Sequence, residues 1–113
     1  MSSDGLILTE IKPLSVNEAW RGRRFKTDKY KYYERQLLLM LPNIDVPEGD
    51  LAILLEFGFS SAGSDWDNPI KPFVDVLQKK YGFNDSRITM AAVNKVKVKK
   101  GGEYIRWALS PAN

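Results

Sequence analysis

Leu51-Ala52-Ile53-Leu54-Leu55-Glu56-Phe57-Gly58-Phe59 is the stretch on which the fold turns. Leu51, Ile53, Leu55, Phe57 and Phe59 recur with period two, so a strand here presents five large apolar side chains to one side. The other side carries Leu54, and the pattern predicts burial on both faces. Upstream, Leu6 to Ile11 reads as a first strand and Pro13 to Thr27 as a loop. Thr27 or Asp28 caps a helix running to about Leu41, where Pro42 ends it, and Tyr30, Tyr33, Leu37 and Leu41 form its apolar stripe. Downstream, Ser60 to Trp66 is a loop of small residues. A second helix opens at Pro69, with Asp67 or Asn68 as its cap, and ends near Tyr81-Gly82; Val74, Leu77 and Tyr81 face inward. From Ile88 period two returns, with Ile88, Met90, Ala92, Val96 and Val98 on one face and Lys95, Lys97 and Lys99 on the other. Gly101-Gly102 signals a hairpin, and pairing Lys100 with Glu103 predicts Val98 opposite Ile105, Val96 opposite Trp107 and Lys97 opposite Arg106. The order β-α-β-α-β-β, with a C-terminal hairpin, predicts an α+β fold: a small mixed β-sheet packed with two helices.

The length of 113 residues allows one core, so residues 1–113 are expected to form a single domain. The chain has no cysteine and no histidine, which excludes disulfides, thiolate nucleophiles, zinc–sulfur sites, Ser-His-Asp triads and imidazole ligands. Any chemistry falls to carboxylates, Lys, Arg, Tyr or hydroxyls. No apolar run reaches the roughly 18–20 residues of a membrane span. Met1 to Gly5 lacks a basic segment followed by an apolar one, so no signal peptide is expected. The net charge is only +3, so its distribution matters more than its sum.

Ser64-Asp65-Trp66-Asp67-Asn68-Pro69-Ile70-Lys71 is the stretch richest in chemistry. Asp65 and Asp67, two apart in extended chain, point the same way. Paired carboxylates repel unless a proton or cation lies between them, and oxygen-only donors favour a hard ion such as Mg²⁺ or Mn²⁺. Lys71 falls in the first turn of the following helix, where an ammonium suits a phosphate or a developing negative charge. Asp85 is a third acid, able to join the pair only if the next strand runs back alongside the site. The bland alternative is that Asp67 or Asn68 is simply a helix cap.

The basic residues are concentrated elsewhere. From Arg21 to Arg35 there are seven Lys or Arg against two acids, +5 over fifteen residues. Arg21, Arg23, Arg24, Lys26 and Lys29 interleave with Trp20, Phe25 and Tyr32, a composition that suits phosphate contact combined with base stacking. In the expected hairpin, Lys97 opposite Arg106 places like charges in register, which a sheet tolerates more readily when that face meets an anion. Lys95, Lys97 and Arg106 therefore join the candidate DNA-binding residues. A solvated lysine-rich edge strand is the alternative reading.

Together these motifs resemble the RusA family of Holliday junction resolvases. Asp65-Trp66-Asp67-Asn68-Pro69-Ile70-Lys71 fits the family pattern Asp-x-Asp-Asn-x-x-Lys. Pro72-Phe73-Val74-Asp75-Val76-Leu77 followed by Asn84-Asp85-Ser86 fits its helix and acidic turn, and Pro13-Leu14-Ser15-Val16-Asn17 with Lys29-Tyr30-Lys31-Tyr32-Tyr33 fits its N-terminal loop and Tyr-rich helix. The resemblance implies a metal-dependent crossover junction endodeoxyribonuclease, a phosphodiester hydrolase acting on branched DNA in recombination and repair. It implies that Asp65, Asp67 and Asp85 bind a catalytic Mg²⁺, with Mn²⁺ as a substitute, and that Lys71 is a required cation. Asn84 stands where the family often has a second acid, and Ser64 where a basic residue can precede the first Asp. Paired nicks on a two-fold symmetric junction imply a homodimer. The setting expected is the cytoplasm of a bacterial or phage-infected cell. A catalytically silent DNA-binding protein is the rival reading, and a nucleotidyl-transfer site ranks behind both because no phosphate-cradling glycine loop is present.

Overall fold

The computed structural model describes residues 6–22, 25–61 and 63–112. It is an α+β fold with a four-stranded mixed sheet in the order β1-β6-β4-β5. The strands are β1 (Ile7–Thr9), β4 (Leu51–Phe59), β5 (Ile88–Lys97) and β6 (Tyr104–Pro111), and the helices are α1 (Val16–Ala19), α2 (Asp28–Met40) and α3 (Ile70–Tyr81). The segment expected as a loop holds α1 and a two-stranded ribbon of β2 (Trp20–Arg21) and β3 (Phe25–Lys26). The first strand is also shorter than its apolar run suggested.

The core is built on β4. Leu51, Ile53, Leu55, Phe57 and Phe59 are all buried, as period two requires. They meet the buried stripe Tyr30, Tyr33 and Leu37 of α2 and Phe73, Val76 and Leu77 of α3. Phe73 packs edge-on to Phe57 and to Trp107, with ring centroids 6.4 and 6.0 Å apart. The opposite face of the sheet is open: Leu54 is 41% exposed, so the expected burial on both sides does not occur. Gly58 is needed on that face, because a Cβ there would lie 2.5 Å from the Tyr104 ring.

The start of α2 and the end of α3 have identifiable causes. Thr27 caps α2, its hydroxyl oxygen accepting from the Tyr30 N–H at 3.2 Å and donating to the Glu18 carbonyl at 2.6 Å. Helix α3 ends at Gly82, whose φ of 73° is left-handed and whose N–H reaches the Gln78 carbonyl at 2.8 Å. Between the helices Glu34 accepts from Lys26 at 3.1 Å and Lys79 at 3.0 Å. Burial pushes the Glu34 carboxyl up, but these two ammonium groups outweigh it and hold the group below its ordinary value.

The last two strands run antiparallel to each other and are joined through the Gly101-Gly102 turn, but β4 lies between them. β5 pairs in parallel with β4, and β6 pairs antiparallel with β4 and β1. The expected register, with Val98 opposite Ile105, Val96 opposite Trp107 and Lys97 opposite Arg106, is therefore absent: Arg106 lies between Leu8 and Glu56. Burying the most apolar strand demands a partner on each of its edges, which a simple hairpin would not supply. A register shift after the Leu51–Ile88 pair skips Thr89 and switches the alternation of β5. Ala91, Val93, Lys95 and Lys97 consequently share the helix-covered face with Ile53, Leu55, Phe57 and Phe59, while Met90, Ala92 and Val96 turn to the open face.

Two outcomes test this packing. Leu37→Ala, at a fully buried position, should cost about 2–5 kcal/mol in urea unfolding. The depressed Glu34 pKa contributes stability that is complete above the unfolded carboxylate value and lost as pH falls through the folded one. Glu34→Gln should therefore lower stability at neutral pH and flatten its decline below about pH 5; an unchanged acid limb would remove the clamp.

Candidate active site

The loop from Ser60 to Pro69 leaves the carboxyl end of β4, beside the carboxyl end of its parallel neighbour β5. Ligands of open α/β sheets gather at such ends because loops, not side chains of the sheet, line the crevice there. The Asn68 side chain donates to Asp65 Oδ2 at 3.2 Å, and the Asn68 carbonyl accepts from the Val16 N–H at 2.9 Å, tying the loop to α1. Asp65, Trp66 and Asp67 are exposed. The residue preceding α3 is Pro69, and no side-chain cap bond is made to the helix. Asp67 and Asn68 are thus not the caps that the sequence suggested.

Asp65 lines a cavity of about 240 Å³ with Lys12, Ser15, Glu18, Ser60 and Glu103. Glu103 accepts from the Ser60 hydroxyl at 2.6 Å, which together with the backbone N–H groups holds its carboxyl below the ordinary range. Glu18 is lowered by the Lys29 ammonium at 3.0 Å, against an opposing push from burial. Lys95, on β5, donates to the Ser64 carbonyl and so reaches the acidic loop directly.

Asp85 stands elsewhere. It begins the short 3₁₀ turn Asp85–Arg87 that leads into the amino end of β5, whereas Asp65 and Asp67 follow the carboxyl end of the parallel β4. Helix α3, with twelve residues, runs about 18 Å between the two regions. The strand expected to run back alongside the acidic pair does so, but it returns Lys95 to the loop and leaves Asp85 at its start. Asp85 lines a groove of about 290 Å³ with Lys71, Asp75 and Val93. There Lys71 pairs with Asp75 at 3.3 Å, Gln78 donates to the same Asp75 oxygen at 3.3 Å, and the Asp85 N–H donates to Gln78 at 2.9 Å. Asp75 is the ionic partner of Lys71, and its i,i+4 spacing carried that signal. Glu103 and Lys12 came from distant segments and had no such signal.

Among the described residues no three acidic side chains stand close enough together to hold a metal ion. The carboxylates suit a hard cation in kind, but Asp65, Asp67 and Asp85 are not gathered around one point.

The candidate DNA-binding residues divide as well. Arg23, Arg24 and the side chain of Arg21 lie outside the described residues. Lys26 and Lys29 are paired with Glu34 and Glu18, and Arg106 with Glu56 at 3.1 Å. Lys95 and Lys97 share the helix side of the sheet and Arg106 the open side, so these three do not form one patch. Trp20 packs edge-on against the buried Tyr30 ring at 5.5 Å, while Phe25 and Tyr32 are exposed at 69% and 59%.

No family model matches this chain, and no curated protein matches it. The likeness to the RusA resolvases therefore rests on the motifs within the chain itself.

Lys95→Met should release the loop. Hydrogen exchange of the amides from 61 to 66 should accelerate several-fold while the thermal midpoint stays within about 2 °C, the norm for an exposed substitution. Unchanged exchange would show that the Lys95–Ser64 bond does not anchor the acidic loop.

Proposed function

We propose that this protein is a divalent-metal-dependent endodeoxyribonuclease that resolves four-way DNA junctions by paired symmetric nicks, acting as a homodimer in the cytoplasm of a bacterial or phage-infected cell. The observation that supports it most is the loop at the carboxyl end of β4. It holds Asp65 and Asp67 exposed, spends neither on capping α3, and is followed one turn later by Lys71. In this reading Asp65 and Asp67 would hold the ion, Mg²⁺ with Mn²⁺ as its substitute, and Asp85, which stands at the start of β5, would join them only through a movement of the chain. The Lys71 ammonium binds the scissile phosphate after leaving Asp75, an exposed pair of small net worth that a phosphate can displace. The ribbon and the start of α2 hold the arms of the junction through phosphate contacts, with Phe25 and Tyr32 available for stacking on unpaired bases.

The separation of Asp85 from the acidic loop favours one competing reading, a structure-specific DNA-binding protein that does not cut. A synthetic mobile junction distinguishes the two. Nicking should appear with Mg²⁺ and vanish with EDTA. Asp67→Asn should lower cutting at least 100-fold and leave junction affinity within about two-fold, because it removes a ligand but no basic surface. Binding without cleavage under Mg²⁺ and Mn²⁺ would establish the silent binder, and wild-type cutting by the variant would dismiss the acidic loop.

A further inference from the structure

The sheet has two edges of very different character. One is β1, only three residues long. The other is β5, ten residues long, which among the described residues pairs with β4 alone. Its middle, Met90-Ala91-Ala92-Val93, carries no charge, and Met90 is 57% exposed. Hollows flank it on both sides. On the open face Leu54, Met90, Ala92 and Ala108 line a depression of about 710 Å³; on the helix side Ile53, Leu55, Ala91 and Val93 floor the groove of about 290 Å³. A long apolar edge is a template for another strand.

The charge along β5 decides which strand fits. Glu48 and Asp50 lie beside Thr89 and Met90 at its amino end, and Asp85 immediately precedes it. Arg87 shares that end, with its guanidinium bound to the carbonyls of Gly49 and Pro47. Lys95, Lys97, Lys99 and Lys100 occupy the carboxyl end and its continuation. The strand is thus acidic at one end, neutral in the middle and basic at the other.

We propose that β5 is the self-association edge of this protein: two copies pair their β5 strands antiparallel about a two-fold axis near Ala92, forming one continuous eight-stranded sheet. Antiparallel pairing lays each basic end over the partner's acidic end. Parallel pairing would oppose lysine to lysine. The lysines that would discourage indiscriminate edge pairing are confined to one end, which this arrangement lays over an end where Glu48, Asp50 and Asp85 outnumber the single Arg87. The uncharged residues fall at the dyad, where each meets its own copy.

The inference locates the interface of the dimer proposed above, yet it is measured without DNA, so the two readings fail separately. The full chain should sediment as a dimer at tens of micromolar, and its Kd should rise at least ten-fold between about 50 and 500 mM salt. Lys97→Glu combined with Lys99→Glu should raise Kd at least ten-fold at low salt. The chain lacks cysteine, so single cysteines report the register. Under mild oxidation Ala92→Cys, or a cysteine at the adjacent Ala91 or Val93, should cross-link, since residues meeting at the dyad lie about 5 Å apart. Lys97→Cys, with its two copies roughly 30 Å apart across the axis, and Leu39→Cys on exposed α2 should not. A monomer at about 200 μM would overturn the proposal, as would a dimer that resists the double charge reversal or cross-links only through Leu39→Cys or Leu54→Cys. Circular dichroism of each variant verifies folding.

Discussion

The contact on which the structure depends is that of Phe73 with Phe57 and Trp107. It joins α3 to the central strand β4 and, through Trp107, to β6. Because all three rings are fully buried, α3 has little freedom to slide or rotate on the sheet. That fixes where the helix begins, and therefore where the loop carrying Asp65 and Asp67 must close. The same helix carries Lys71 and Asp75 on its more exposed side and returns the chain to the start of β5. Core packing and the layout of the candidate site are thus set by one element.

Local periodicity was a reliable guide wherever one element met one surface. The stripes of α2 and β4 appear in the structure as the sequence indicated, because helix and strand repeats are properties of the backbone itself. Two readings depended on pairing, and pairing is non-local. Gly101-Gly102 turns the chain as expected, but nothing within residues 88–111 reveals that β4 will insert between the flanking strands. The skipped Thr89 is equally silent in the sequence, yet it alone moves Lys95 and Lys97 from the open face to the helix side. The Asp67 cap failed for a different reason: Pro69 itself precedes the helix in near-helical geometry, leaving no extended residue whose side chain could fold back on the first turn.

The candidate site was legible as chemistry and not as geometry. Asp-x-Asp in a short loop guarantees that two carboxylates lie near each other, because two residues of chain cannot separate far. Asp85 is eighteen positions beyond Asp67, and its placement depends on which end of β5 it precedes. A parallel crossover answers that question unfavourably, since it must traverse the sheet before the next strand starts. What the crossover returns to the loop is the far end of β5, and with it Lys95.

Five of the cations are paired with carboxylates. Lys26, Lys29, Lys71, Lys79 and Arg106 each face a carboxylate within 3.3 Å. Such pairs differ in how readily a polyanion can take the cation. Lys29 and Lys71 are well exposed, so exchanging a carboxylate for a phosphate costs little there. Glu34 is largely buried between two lysines, and removing either would leave part of a desolvated charge uncompensated. Lys26 is therefore a fixed positive charge and Lys29 one that an anion can take from its carboxylate. Lys95, Lys97, Lys99 and Lys100 gather at the carboxyl end of β5, where the acidic loop lies, and Glu48, Asp50 and Asp85 at the other, so the chain carries a charge gradient along its sheet.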